Sequence, residues 1–377
     1  MANIRDQSPQ RLTFSDLPAD CLLCVADNIT ELKDLSALAK TNHSLHALIN
    51  PQLYRRGINT AGDRNPLRFG CWYRKVNTVR YSIEAGADVN ATQDEMTSEP
   101  PLSWSLSSLT RELQSLGLFG LSIVPGEDLP QARQNGYDVI ELLLNAGADP
   151  NFRGWNESMP LHQAAEVGDE NIIRLLLARG ADFRLYDRLG YTPLHTAAMR
   201  CGKELGAVKA FIDNGANVDT LAMNNRRTPL HCAASAGLTE VAKLLLDLGA
   251  DVESRDQFRQ TPLHCASIIW VTDTDKIPVL KLLVERGANL EAVDAQGLTP
   301  LQQAVVGAGD TKDIIDWLVD NGANSDVRDG NGRTLIELAR SHGRTAVAER
   351  FQRRSERVAS RGKKRVNEEP HGGRSHH

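Results

Sequence analysis

Residues 228–251 read Thr228-Pro229-Leu230-His231-Cys232-Ala233-Ala234-Ser235-Ala236-Gly237-Leu238-Thr239-Glu240-Val241-Ala242-Lys243-Leu244-Leu245-Leu246-Asp247-Leu248-Gly249-Ala250-Asp251. Thr228 is an N-cap residue type, and Pro229 suits the first helical position, where no amide donor is needed. Leu230, Ala233 and Ala234 then give a short helix whose small residues permit close packing. Gly237 breaks it. Val241, Leu244, Leu245 and Leu246 form the apolar stripe of a second helix, and Gly249 ends that helix with a left-handed cap. Two short helices and a turn cannot bury their apolar faces alone, so neighbouring units have to stack.

The unit recurs along the chain. Leu-His follows Pro at Pro160, Pro193, Pro229 and Pro262, with the histidines His162, His195, His231 and His264 spaced 33, 36 and 33 residues apart. Gly-Ala-Asp or Gly-Ala-Asn begins at Gly86, Gly147, Gly180, Gly215, Gly249, Gly287 and Gly322, in steps of 61, 33, 35, 34, 38 and 35. A period of this length marks a stacked array. The core is then spread over many small interfaces.

Thr-Pro-Leu-His, Ala-Ala, the glycine turn, Val-x-x-Leu-Leu-Leu and Gly-Ala-Asp, in that order, resemble ankyrin repeats from about Asn59 to Phe351. The resemblance implies an all-α helix-turn-helix solenoid with β-hairpin fingers. It places the array at 57–351, with about seven repeats and a degenerate C-terminal cap running from Arg333-Thr334-Leu335 to Phe351. The distance from Pro to the capping glycine is 20 residues in three units, 22 in two, 25 in one and 46 between Pro101 and Gly147. The extra residues fall between the two helices of a unit, on the edge that the resemblance puts opposite the fingers. The longest insertion, near 107–136, reads as a binding loop or as a loosely packed excursion.

Before the array, residues 12–56 carry Leu17-Pro18-Ala19-Asp20-Cys21-Leu22-Leu23, then Asp34-Leu35-Ser36-Ala37-Leu38, then Leu45-His46-Ala47-Leu48. Three short amphipathic helices fit this pattern. So small an element needs a partner surface. The pattern resembles an F-box, although His43 stands where such boxes often have Arg. The resemblance implies docking on the adaptor of a cullin–RING ubiquitin ligase through Leu17, Pro18, Leu22, Leu23, Asp34 and Leu35. The other reading is that these leucines pack the element against the first repeat.

Composition narrows the functional classes. The 377 residues are 41% hydrophobic and 24% charged, as in ordinary globular chains, and only 5% aromatic. The formal charge of −5 gives no support to a whole-chain nucleic-acid binder. From Arg350 onward nine basic residues face three glutamates, which leaves +6 on this end and −11 on the rest. No apolar run is long enough for a transmembrane helix. The polar N-terminus lacks a signal-peptide core, so the chain reads as intracellular, cytoplasmic or nuclear, and its six cysteines as free thiols.

Cys21-x-x-Cys24 has no second pair at zinc-ligand spacing and reads as two small apolar residues. The four recurring histidines would sit about 10 Å apart in stacked units, too far to share a metal, and read as structural hydrogen-bonding groups. No phosphate-cradling loop, nucleophile elbow or ligand cluster is present in the sequence. The expectation is a chain with no catalytic residues, no metal, no cofactor and no small-molecule substrate.

A working surface follows from the resemblance, since ankyrin proteins contact partners through the fingers and the first helices. Here the fingers offer Trp155, Asn156, Ser158, Arg188, Leu189, Tyr191, Asn225, Arg227, Phe258 and Gln260. The first helices offer Trp72, Tyr73, Glu166, Met199, Arg200 and Ser235. Aromatic, Met and Arg residues are those enriched in interface hot spots. Trp155, Tyr191 and Phe258 read either as one stripe of anchors or as rings lying flat on the next finger. Trp317 lies on a second-helix stripe and reads as core. The tail, 352–377, is basic and poor in apolar residues. Lys363, Lys364 and Arg365 make a candidate import signal or part of a solubilising end.

Taken together, the sequence predicts a non-catalytic protein-interaction subunit. In one reading it recruits an unidentified target protein, one with some basic surface, to a cullin–RING ligase. In the other it is an ankyrin scaffold without a ligase role.

Overall fold

A computed structural model describes residue 54 and residues 65–92, 99–115, 129–154, 157–200, 205–268, 275–307, 309 and 311–353. They fall into two compact units, one ending at Arg188 and one beginning at Leu189.

The first unit holds three helix pairs: α1 (Pro66–Trp72) with α2 (Val76–Glu84), α3 (Pro101–Ser115) with α4 (Leu129–Asn145), and α5 (Pro160–Val167) with α6 (Glu170–Ala178). First helices stack on first helices, α1 on α3 on α5, and second on second, α2 on α4 on α6. Leu102, Leu106, Ile140, Leu143, Leu161, Ile172, Ile173 and Leu176 are fully buried between them. Each such side chain contributes about 1.5–3 kcal/mol of apolar burial.

The second unit repeats the arrangement with α7 (Pro193–Arg200) and α8 (Gly206–Asp213), α9 (Pro229–Ala236) and α10 (Thr239–Asp247), α11 (Pro262–Ala266) and α12 (Ile277–Glu285), α13 (Pro300–Val306) and α14 (Lys312–Asp320), then α15 (Leu335–Ser341). Residues 345–353 are also helical, so the degenerate cap is itself a helix pair. Phe211, Leu230, Val241, Leu245, Leu263, Leu280, Leu283 and Leu318 fill this core, and Ala197-Ala198 and Ala233-Ala234 are fully buried.

The caps form as the residues dictate. Thr228 is extended (φ −89°, ψ 166°), and Gly237 closes α9 in the left-handed region at φ 73°. At the end of α10, Gly249 N–H donates to Leu246 O and Ala250 N–H to Leu245 O, with Gly249 at φ 92°.

Three expectations need correction. No strand occurs among the described residues. The fingers are tight turns closed by two backbone bonds, such as Asp256 N–H to Gln260 O at 3.0 Å and Arg259 N–H to Asp256 O at 2.9 Å, while the side chain of a turn residue takes up two further amides. The insertion is not a loop throughout, since α3 and α4 run through 107–115 and 129–136. Ser108, Leu109 and Gly136 are buried there. Serines at the start of this stretch bond the helix backbone: Ser105 Oγ donates to Pro101 O and Ser108 Oγ to Ser105 O. Trp317 is half-buried, and Ile314, Ile315 and Leu318 carry the core face of α14.

Candidate partner-binding surface

The fingers of the second unit are built around one acidic position. The Oδ1 of Asp256, five residues before Thr261, accepts from Phe258 N–H (2.8 Å) and Gln260 N–H (2.9 Å). Asp294 does the same for Gln296 and Leu298, and Asp329 for Asn331 and Arg333. The carboxylate takes two of the amides of the turn, which fixes the fingertip. Met223 replaces this aspartate in one finger. There Ala222 N–H bonds Arg227 O, and Asn225 Oδ1 accepts from Arg227 N–H.

The fingers are tied to one another. Met223 N–H donates to Gly190 O (2.8 Å), Gln257 N–H to Asn225 O (2.9 Å) and Ala295 N–H to Phe258 O (2.8 Å). Below them the histidines lock each unit to the next finger. His195 Nε2 meets Arg227 O at 2.9 Å, His231 Nε2 meets Gln260 O at 2.9 Å and His264 Nε2 meets Leu298 O at 3.0 Å. A carbonyl only accepts, so the proton sits on Nε2. The Nδ1 atom is then the acceptor for the N–H of Thr192, Thr228 and Thr261. Burial pushes the pKa of His231 down to about 4, against the pull of the Gln260 bond, and lowers that of His264. In the next unit Gln302 plays both roles, accepting from Thr299 N–H and donating to Val327 O.

These bonds sort the sequence-derived contact residues. Arg188, Leu189, Arg200 and Phe258 are exposed, and Met199 is half-buried. Tyr191 is half-buried against His195, its ring centroid 5.6 Å from the imidazole, and its hydroxyl accepts from Asn225 Nδ2. It is packed against its neighbours, as a ring lying on the next finger would be, whereas Phe258 stands out into solvent. Arg227 is only 18% exposed and pairs with the fully buried carboxylate of Asp256 at 3.3 Å. The backbone of Gln260 is taken up by Asp256 and His231. Both therefore hold fingers together. In the first unit Tyr73 is exposed and lies against Phe69, the tilted rings 4.7 Å apart, Glu166 is exposed and Trp72 is half-buried. Ser158, Asn225 and Ser235 are half-buried. Trp155, Asn156, the box residues Leu17, Pro18, Leu22, Leu23, Asp34 and Leu35, and Lys363, Lys364 and Arg365 lie outside the described residues.

Sequence reasoning missed Met223, which is 65% exposed, and the exposed Arg226 and Arg259. The signal was present: Met223 stands where Asp187, Asp256, Asp294 and Asp329 recur, and each arginine stands where Gly190, Gly297 and Gly332 recur.

Among the described residues no group of His, Cys, Asp or Glu could hold a metal ion, and no helix is long and apolar enough to cross a membrane. Cys71, Cys232 and Cys265 are buried free thiols. Burial pushes the first two up to about 12 and the third up to about 11, far from the thiolate form.

Comparison with known proteins gives a family match. A model of ankyrin repeats in three copies matches residues 129–221, 199–268 and 249–329, together more than half of the chain. The chain is 29% identical over 208 residues to the B-cell lymphoma 3 protein homolog of Mus musculus, covering 54% of this chain and 45% of that protein. It is 31% identical over 212 residues to ankyrin repeat and SOCS box protein 16 of Homo sapiens, covering 55% and 46%. Against a transient receptor potential channel homolog of Caenorhabditis elegans it is 28% identical over 196 residues, covering 52% of this chain and 15% of the channel. The chain thus spans less than half the length of each of these relatives. The crystal structure of the ankyrin repeat domain of Bcl-3 aligns with TM-score 0.48 and 22% identity over 69% of this chain and all of that one.

Proposed function

The chain belongs to the ankyrin-repeat family, whose repeats are protein-interaction units, and on that premise we propose that it is the substrate-recognition subunit of a cullin–RING ubiquitin ligase. In this reading the N-terminal element docks the ligase adaptor, the array holds a target protein, and the transfer chemistry belongs to other subunits. The observation that carries the reading is the F-box-like pattern, Leu17-Pro18, Leu22-Leu23 and Asp34-Leu35, placed directly before the array. A relative whose name joins ankyrin repeats to a SOCS box supports the pairing of an array with a short box. The exposed finger residues Arg188, Leu189 and Phe258, with Met199 and Arg200 on α7, are the proposed target contacts.

The test is co-purification of the full chain with the ligase adaptor, beside a Leu17→Ala/Pro18→Ala variant. The adaptor is expected with the parent chain and absent from the variant, and the target should accumulate in cells carrying the variant. Absence of the adaptor from both preparations would leave the array as a scaffold with no ligase role.

A further inference from the structure

The fingertips of the second unit form a ridge whose chemistry is opposite to that of the acidic chain. Three consecutive fingers each present one large apolar side chain to solvent: Leu189 at 65%, Met223 at 65% and Phe258 at 54% exposure. The backbone bonds from Met223 to Gly190 and from Gln257 to Asn225 hold these fingers side by side. The same fingers carry the exposed arginines Arg226, Arg259 and Arg255, the last of which also donates to Val293 O at 3.0 Å. Among the described residues no carboxylate lies within ion-pair distance of Arg226 or Arg259, whereas Arg227 beside them is paired with Asp256. The carboxylate nearest Arg259 in sequence, Asp256, is buried inside its own turn.

Two of these arginines are held at a conformational cost. Arg226 has φ 56° and Arg259 φ 58°, in the left-handed region that three sister fingers fill with Gly190, Gly297 and Gly332. A side chain there is strained, and such strain gathers at functional positions. Glycine would fold the same turns without the strain. Glu157 takes the same conformation (φ 53°) two residues before its own N-cap Met159, so it is the positive charge of Arg226 and Arg259, not the turn itself, that sets these two fingertips apart.

We propose that this ridge binds an acidic, apolar-bearing polypeptide segment in extended form. Stacked units sit about 8–10 Å apart, and an extended chain in the polyproline II form advances about 3.1 Å per residue with three residues per turn, so every third side chain returns to the same face. An occupant that meets Leu189, Met223 and Phe258 in turn has an apolar residue at every third position, with carboxylates between them facing Arg226, Arg255 and Arg259. Three apolar side chains of unlike shape favour a peptide over a nucleic acid, which would need stacking platforms at each step. The inference deepens the reading of the array as the target-holding part and does not depend on the N-terminal element. It replaces the expectation of a basic partner, drawn from net charge alone, for this surface.

The test is fluorescence anisotropy on the full chain with a labelled synthetic peptide of repeated Leu-Glu-Glu. Binding is expected, with no binding of repeated Leu-Lys-Lys. Repeated Gly-Glu-Glu, and Leu-Glu-Glu on the Arg226→Gly/Arg259→Gly variant, are each expected to lose about tenfold or more in affinity. The glycine variant keeps the turns, so its thermal midpoint should hold or rise. No binding of the Leu-Glu-Glu peptide, equal binding of the lysine peptide, or full affinity in the glycine variant overturns the proposal. So does tighter binding of a single-stranded oligothymidylate. Adaptor co-purification is read separately, so failure of this inference and failure of the ligase reading are distinguishable.

Discussion

His231 Nε2 lies 2.9 Å from the carbonyl oxygen of Gln260, one finger further along the chain, while its Nδ1 accepts from the N–H of Thr228 at 3.2 Å. One ring thus caps its own helix and ties down the next unit, and it does so only when neutral. A second proton would have to go on Nδ1, where it faces an amide proton. In the fold His231 binds that proton only near pH 4, against 6.5 in the unfolded chain. Between these values the unfolded chain takes up a proton that the folded chain refuses. The stabilisation is therefore complete above pH 6.5 and is lost as pH falls toward 4. Gln302 makes both bonds with an amide that does not titrate. His231→Gln is accordingly expected to keep the fold at neutral pH and to flatten the fall in urea midpoint between pH 6.5 and 4. An unchanged acid slope would remove His231 from the account.

That lock was legible in the sequence as a recurring Thr-Pro-Leu-His, because cap, proline and histidine act within a few residues of one another. The helices and their glycine stops were legible for the same reason. The contact surface was only half legible. Leu189 and Phe258 were found as exposed apolar residues, but Tyr191 and Arg227 are drawn inward by Asn225 and Asp256 on neighbouring fingers. Such pairings depend on which units stack, and a list of residue types does not carry that information. Met223 was not among the contact residues read from the sequence, and its place in the row of aspartates is what marks it as exposed.

Asp256 is the hub of its finger. Its side chain is fully buried, accepts two backbone amides and pairs with Arg227. Removal leaves a half-buried guanidinium and two turn amides without their acceptor. Asp256→Ala is expected to lose about 3 kcal/mol or more of unfolding free energy in urea titration. Asp256→Asn keeps an acceptor for the amides and should lose less. Equal losses from the two variants would assign the whole effect to the ion pair.

Lys276 is buried, and its Nζ donates to Ser235 O at the end of α9 and to Ile268 O just beyond α11. It satisfies carbonyls that two successive first helices leave open at their C-terminal ends. Burial holds its pKa down to about 8, below the ordinary 10.5. The folded chain gives up this proton before the unfolded chain does, so stability from this group rises as pH goes from 8 to 10.5. Lys276→Met is expected to abolish that rise. It should also lower stability at neutral pH by about 1–3 kcal/mol, because the carbonyls lose their donor. A parent-like alkaline profile in the variant would refute the assignment.

The insertion between α3 and α4 supplies the sharpest contrast between sequence and structure, and it can be tested at one atom. The extra length between Pro101 and Gly147 made 107–136 read as a binding loop or a loose excursion, yet the two helices carry their packing into it. A methyl group placed at Gly136 would stand 2.8 Å from Leu109 Cδ2 and 3.2 Å from its Cδ1. Leu109 is itself buried, so it has little room to withdraw. Were these residues a loose excursion, Gly136→Ala would be neutral or, by helix propensity, stabilising by up to about 1 kcal/mol. The close approach of the two helices argues for the opposite sign: a loss of about 1–3 kcal/mol from overpacking. Pairing it with Leu109→Ala, which opens the space the methyl group needs, should recover part of the loss. Urea titrations of the two single variants and the double variant measure that coupling directly. Strict additivity would show that the extended turns of α3 and α4 do not meet.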